Sequence, residues 1–520
     1  MIKSPKLFIA AIISAACFVG SSFAAQSYLN QTLDELTVTQ MQQKLAAGEL
    51  SSEALVQYYL DRIALLDDSG IKLNAVGRTH HEVLAQARKL DEERQDKGSR
   101  GPLHGVPVLL KDNIDTNDGI ANTAGSVALR HNYPSHDAFL VKRLRDAGAI
   151  ILGKANLSEW ANFRSTRSSS GWSGMYGQAK NPYDITRSPC GSSSGSAIAV
   201  AANLTLLAIG TETDGSVVCP ASINGVVGIK PTLGTVSRSG IIPIAHSQDT
   251  AGPMARTVSD AVQLLEVMVG FDDNDKNALK SDIQYTSHLK ADGLKGKRIG
   301  VVRNFTGFHP QVDALFEQAI ATMKAQGAII VDNANIDNKG QWDEAEFEVL
   351  LYEFKADLNA YLAKTDGAHP KSLEALIAFN KRHSSTEMPY FAQELFEMAQ
   401  QKGPLSDKAY QDALAKAKRL AGNEGIDATM KKYQVDLLIA PTTGPAWKID
   451  LINEDHYSGG SASSAPAVSG YPHITVPMGF VSHLPVGISF FAGQLQEGRL
   501  IEAAYHYEQA SKKRQKPQYK

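Results

Sequence analysis

Between Thr37 and Asp96 the chain reads as helical. Met41, Leu45, Leu55, Tyr58, Leu60, Ile63 and Leu66 recur mostly at three- and four-residue steps, the spacing that keeps one helical face apolar. Gly48 divides the first two helices, and Ser51 or Ser52 can cap the second. A further helix is expected over about 81–96, mixed in charge and ending in the polar turn Lys97-Gly-Ser-Arg-Gly101. Beyond it, short apolar runs at 106–110, 149–152, 206–210, 298–302 and 329–331 read as core strands alternating with helices. The run 197–209 is unbroken and reads as a buried helix leading into a buried strand. Strand–helix alternation predicts an α/β fold with a mixed or parallel sheet. No internal repeat or long low-complexity tract interrupts it.

Within 343–362, Leu351 to Tyr361 forms an amphipathic helix with Glu353 and Asp357 one turn apart. The plainer expectation for these carboxylates is a solvated charged face; the sharper one is that the segment walls a substrate cleft, since specificity is carried by segments added to a fixed scaffold.

The 520 residues exceed what one compact core usually takes. A hydrophobic content of 43% and a charged content of 21% are those of a soluble globular protein. A formal net charge of −3 leaves no basic footprint for nucleic acid. The N-terminus is set apart: Lys3 and Lys6 precede an apolar stretch from Leu7 to Val19, and Ser22-Phe-Ala24 offers small residues for cleavage before Ala25. Residues 1–24 therefore read as a Sec signal peptide, and the protein is expected in a bacterial periplasm or secreted. The apolar run is short for a permanent anchor. A lipoprotein reading at Cys17 lacks the usual apolar residue three positions before the cysteine. Of the 3 cysteines, Cys190 and Cys219 remain after cleavage. Two thiols in an exported protein can pair, but sequence does not supply the geometry a disulfide needs, and the expectation here is buried free thiols.

Candidate chemistry lies in three stretches. Gly210-Thr-Glu-Thr-Asp-Gly-Ser216 and Cys190-Gly-Ser-Ser-Ser-Gly-Ser196 are loops whose small residues let the backbone turn sharply and present amide N–H groups. The third, Gly101-Pro-Leu-His-Gly-Val-Pro-Val-Leu-Leu-Lys-Asp-Asn-Ile114, places a lysine directly after an apolar strand. Together they resemble the amidase signature family of Ser–cisSer–Lys hydrolases, most closely in motif detail its bacterial peptide amidases. Pro220-Ala221, Gly225-Val-Val-Gly-Ile-Lys-Pro-Thr232, Asp249-Thr-Ala-Gly-Pro-Met-Ala-Arg-Thr257, Asp436-Leu-Leu-Ile-Ala-Pro-Thr442 and Pro485-Val-Gly-Ile-Ser489 also resemble family segments.

The resemblance implies one α/β domain over 25–515, a central mixed sheet flanked by helices on both faces, with variable helical insertions around the cleft at about 271–422. It assigns Ser216 as nucleophile, Ser192 as a relay serine preceded by a cis peptide bond, and Lys111 as base. The backbone N–H groups of Thr213, Asp214, Gly215 and Ser216 would form the oxyanion hole. The chemistry is coherent without a histidine. A buried lysine loses its charge more readily than a solvated one, and a neutral amine can draw a proton through one hydroxyl to activate another. No cofactor or metal is called for.

The chain departs from the common family pattern at Cys190, Ser194, Glu212, Asp214 and Val218. Asp214 replaces a glycine and is expected to tolerate unusual backbone angles. Gly191-Ser-Ser-Ser-Gly195 formally fits Gly-x-Ser-x-Gly, but the loop before it excludes Ser193 as an α/β-hydrolase nucleophile. Asp273-Asn-Asp-Lys-Asn277 lacks the glycine and glutamate of a calcium loop. The 14 histidines show no metal spacing, and His80-His81 sits at the start of a surface helix.

The reading is an exported amidase acting on a small amide or peptide amide and releasing ammonia from a peptide C-terminal amide through an acyl-enzyme. The alternatives are a broad acyl-amide, ester or cyclic amide hydrolase, and a non-catalytic binding protein on the same fold. A monomer or homodimer is expected, with no stable membrane anchor.

Overall fold

The computed structural model describes residues 33–457 and 459–519. The expected leader over 1–24, its cleavage site and Cys17 lie outside the described residues.

Among the described residues thirteen strands run in chain order: β1 (Val76–Thr79), β2 (Pro107–Lys111), β3 (Ile150–Ala155), β4 (Trp172–Ser173), β5 (Gly177–Gln178), β6 (Leu207–Glu212), β7 (Val227–Lys230), β8 (Thr250–Ala255), β9 (Arg298–Val301), β10 (Ile329–Val331), β11 (Leu437–Pro441), β12 (His473–Val481) and β13 (Leu484–Phe491). Eleven form one sheet in the order β1-β3-β2-β6-β8-β7-β12-β13-β11-β9-β10, and β4 and β5 pair separately. The sheet is mixed. β3, β2 and β6 are parallel neighbours, as are β11, β9 and β10; the remaining pairs are antiparallel.

Every residue of β2, β3, β6, β8, β11 and β13 is buried, so both faces of the sheet are covered. That is why these strands read as continuous apolar runs rather than alternating ones. Helices Ser194–Ala201 on β6, Val258–Met268 on β8, and Pro310–Ala325 and Glu497–Ser511 on β12 supply much of the cover.

The N-terminal helices fall at Val38–Ala46, Ser52–Arg62 and Val83–Lys97. Ser51 is the cap of the second, accepting from the Ala54 N–H at 3.0 Å. The helical reading of the whole stretch overlooked β1. This four-residue strand pairs antiparallel to β3 with a register shift and is too short for periodicity to register. Asp67 starts it: its buried carboxylate accepts from the N–H groups of Ala75 (2.7 Å) and Val76 (2.9 Å).

Between 271 and 422 the chain forms several helices, among them Asp343–Lys364, Leu373–Arg382, Glu394–Gln400 and Lys408–Lys418. They carry a second apolar cluster in which Leu351, Phe354, Leu358 and Phe396 meet Trp160, Phe163, Ile242 and Ile244. These helices therefore pack on segments next to the motif loops.

Candidate active site

Lys111 and Thr211 stand near the carboxyl ends of the parallel neighbours β2 and β6, the end of an α/β sheet where ligand sites form. Lys111 is fully buried. Its Nζ donates to Ser192 Oγ (2.7 Å), Thr211 Oγ1 (2.8 Å) and the Thr211 carbonyl (3.2 Å). Asn113 Nδ2 holds Thr211 Oγ1 from the other side at 3.0 Å. Asp112 is anchored by Tyr176 OH at 2.8 Å and by Thr123.

Ser192 is also fully buried. Its backbone N–H donates to Ser216 Oγ at 3.3 Å, and Ser193 N–H donates to the Ser216 carbonyl at 3.3 Å. One expectation needs correction: the described residues contain no cis peptide bond, so the bond before Ser192 is trans. The loop reverses instead through two successive left-handed residues, Cys190 (φ 56°) and Gly191 (φ 58°). At Gly191 a Cβ would lie 2.7 Å from Pro220 Cδ, so only glycine fits this approach. Ser193 is engaged elsewhere. Its hydroxyl donates to the Thr211 carbonyl (3.0 Å) and accepts from the Thr211 N–H (3.1 Å), fixing the loop to the end of β6.

Ser216 follows Gly215, whose φ of 77° makes the turn after β6. Glu212 organises this turn from inside. Its buried carboxylate accepts from the N–H groups of Val217 (2.7 Å) and Val218 (3.0 Å), where helix Val218–Ile223 begins. The Gly215 N–H faces the same carboxylate. Of the four N–H groups expected to form the oxyanion hole, that of Gly215 is thus drawn toward Glu212. The N–H groups of Thr213, Asp214 and Ser216 take no part in the turn's own hydrogen bonds. The left-handed residue is Gly215 and not Asp214; the Asp214 side chain instead accepts from Ser463 Oγ. Thr213 Oγ1 donates to Asp249 at 2.6 Å, and the other Asp249 oxygen accepts from the N–H groups of Ile244 and Ala245, both at 2.8 Å.

The expected free thiols are not present. Cys190 and Cys219 form a disulfide with Cα atoms 5.9 Å apart, because the two motif loops fold against each other. Glu353 is not on a solvated face either. It is fully buried and accepts from Ser247 N–H (2.9 Å) and Tyr410 OH (2.7 Å). Asp357 takes the His246 N–H (3.0 Å) and ring (2.8 Å). His246, Glu353 and Asp357 form a compact cluster, but its atoms already bond to one another and to the 244–249 segment, which it ties to helix Asp343–Lys364. Gln248 makes a second tie, donating from Nε2 to the Thr213 carbonyl (3.3 Å) and to Glu346 (2.9 Å). His80 is buried rather than superficial, and Asp275 pairs with Arg238.

Sequence reasoning assigned no role to Thr211, Glu212 or Asp249 as site supports, although all three lie within the motifs themselves. The signal for Thr211 and Glu212 is a pair of polar residues closing the apolar run of β6, and for Asp249 an acidic residue directly before β8.

Burial draws the Lys111 amine down to about 7, against the opposing fields of Asp249 and Glu212. Burial also raises the Asp249 and Asp214 carboxyls to about 6 each. The neutral, basic form of Lys111 is therefore within reach near neutral pH. Removing an acceptor for its N–H destabilises the charged form. Thr211→Val is expected to move the acid limb of kcat/KM toward lower pH by about half a unit to one unit, the equivalent of one hydrogen bond. A pH–rate profile that stays in place or moves upward would contradict the acceptor role of Thr211.

Known proteins share this architecture. The family model described as Amidase matches residues 54–501. A probable amidase of Arabidopsis thaliana is 40% identical over 524 residues, covering 98% of this chain and 96% of that protein. A putative amidase of Schizosaccharomyces pombe is 35% identical over 521 residues, covering 94% of this chain and 88% of that protein. Among solved structures, the peptide amidase PAM bound to its competitive inhibitor chymostatin is 51% identical with a TM-score of 0.91, covering 94% of this chain and 99% of that one. The chain belongs to the amidase family and is an enzyme that hydrolyses amides.

Proposed function

We propose that the enzyme hydrolyses carboxamide C–N bonds through Ser216, Ser192 and Lys111, and that its substrates are peptide C-terminal amides, releasing ammonia. The observation that carries this reading is the buried Lys111 amine 2.7 Å from Ser192 Oγ, with Ser192 hydrogen-bonded in turn to Ser216 Oγ through its backbone. Neutral Lys111 takes the Ser192 proton as Ser192 takes that of Ser216. Ser216 Oγ attacks the amide carbon, and N–H groups of the turn after β6 meet the developing oxyanion. The proton returns through Ser192 to the leaving nitrogen, and water then hydrolyses the acyl-enzyme by the same route. In this geometry the link between the serines runs through the Ser192 N–H. The relay requires Ser216 Oγ to turn toward the Ser192 hydroxyl in the substrate complex.

The motif detail at 212–219 and the likeness to a peptide amidase support the substrate class. The expected leader and a disulfide, a bond that persists in oxidising compartments, support export to the periplasm. Assays of ammonia release from peptide amides, beside anilides and esters, test the specificity. Peptide amides are expected to give kcat/KM at least about tenfold higher, the discrimination of roughly one well-placed contact, and chymostatin is expected to compete with them. Turnover confined to esters or anilides would reject the peptide-amide reading in favour of a broad acyl hydrolase.

A further inference from the structure

We propose that the Cys190–Cys219 disulfide is a positioning element of the catalytic pair: it ties the relay loop to the nucleophile helix, and turnover depends on its oxidised state. The proposal rests on the Ser216–Ser192–Lys111 reading and adds a dependence which that reading does not require. Cys190 lies two residues before Ser192, and Cys219 three residues after Ser216. The bond thus spans the two loops at the point where their serines meet, across 29 residues of sequence.

The Ser193 hydroxyl pins the relay loop to Thr211 at 3.0 and 3.1 Å, but the polar links to Ser216 itself are long: Ser192 N–H to Ser216 Oγ and Ser193 N–H to the Ser216 carbonyl are each 3.3 Å, beyond the usual range for such bonds. On its far side the relay loop is held by Ser158, whose hydroxyl donates to the Gly191 carbonyl at 3.0 Å. Toward Ser216 the disulfide is the covalent tie. It is packed with Ile223, Ala446, Trp447 and Leu484.

Cys190 holds a left-handed backbone (φ 56°), a conformation that residues with a Cβ resist. Released from its partner, Cys190 has reason to leave that conformation. The turn that brings Ser192 over Ser216 relaxes with it. Cys219 is partly exposed, which gives a reductant access. Dithiothreitol opens the bond by two thiol–disulfide exchanges, leaving two protein thiols and the cyclic oxidised dithiol.

The test uses the full mature chain, oxidised and reduced, with complete reduction confirmed by alkylation of two thiols in the intact mass. Three readouts are followed: kcat and KM on an amide substrate, the rate of Ser216 labelling by a fluorophosphonate, and amide hydrogen exchange over 188–222. Reduction is expected to lower kcat and the labelling rate at least about tenfold (1.4 kcal/mol), with KM changed less than about twofold. Exchange should accelerate in 190–196 and 213–219, and reoxidation should reverse all of these effects. Cys190→Ala/Cys219→Ala should behave like the reduced protein. Cys190→Gly/Cys219→Ala should recover part of the rate, because glycine adopts the left-handed angle freely; a merely stabilising disulfide would show no such rescue. A fully reduced protein that is labelled at the oxidised rate, with unchanged exchange, overturns the proposal. Oxidised protein that never takes the label would reject the serine-hydrolase reading instead, and the exchange data would still decide the clamp.

Discussion

Ser216→Ala is expected to abolish turnover, lowering kcat by on the order of 10⁶, the loss seen when the nucleophile of a serine hydrolase is removed. The fold should persist. Ser216 is 9% exposed, and its hydroxyl accepts one bond from the Ser192 N–H, so the substitution removes a single long hydrogen bond worth about 1 kcal/mol. A thermal melt beside an ammonia-release assay separates the two effects. A folded alanine variant with more than a trace of activity would mean that another group attacks the amide. Ser193 is poorly placed for that role, because both its hydroxyl bonds lead to the backbone of Thr211.

Lys111→Met should have the next largest effect. It removes the base but keeps an unbranched apolar stem in the same buried slot, and kcat/KM should fall by about 10²–10⁴, the usual share of general base catalysis. The wild-type pH profile supplies a sharper signature. With the folded amine near 7, the active form is the deprotonated one. Activity should therefore rise about tenfold per unit as pH increases toward 7, then level off above it. In the methionine variant the residual rate should lose that limb. If the limb near 7 persists, it belongs to another group, and Asp249 and Asp214, raised toward 6, are the next to examine.

The parts of the fold legible in the sequence were those with strong local signals. β2, β3 and β6 are buried on both faces, so each reads as a continuous apolar run bounded by polar residues, and their ends carry the motif loops. β12 and β13 were not read as a hairpin. Their contribution to the sheet depends on pairing with β7 and β11, distant partners that no local pattern reveals. The same distinction applies at the site. Lys111, Ser192 and Ser216 stand in recognisable loops. By contrast, the Glu212 bonds that aim the turn, the Thr213–Asp249 contact and the Cys190–Cys219 pair exist only after the loops have met. The amphipathic spacing of its helix makes a solvated Glu353 the plainer expectation; contact with Ser247 and Tyr410 overrides that pattern.

The three acceptors around Lys111 Nζ also bear on how the site handles charge. Ser192 Oγ, Thr211 Oγ1 and the Thr211 carbonyl match the three hydrogens of an ammonium ion. When the amine picks up its proton in a cavity shut off from solvent, the dipoles that must receive the new cation already point at it. The protein set two hydroxyls and one carbonyl in place of the cation's hydration shell when it folded, so these acceptors need little rearrangement when the amine gains its proton.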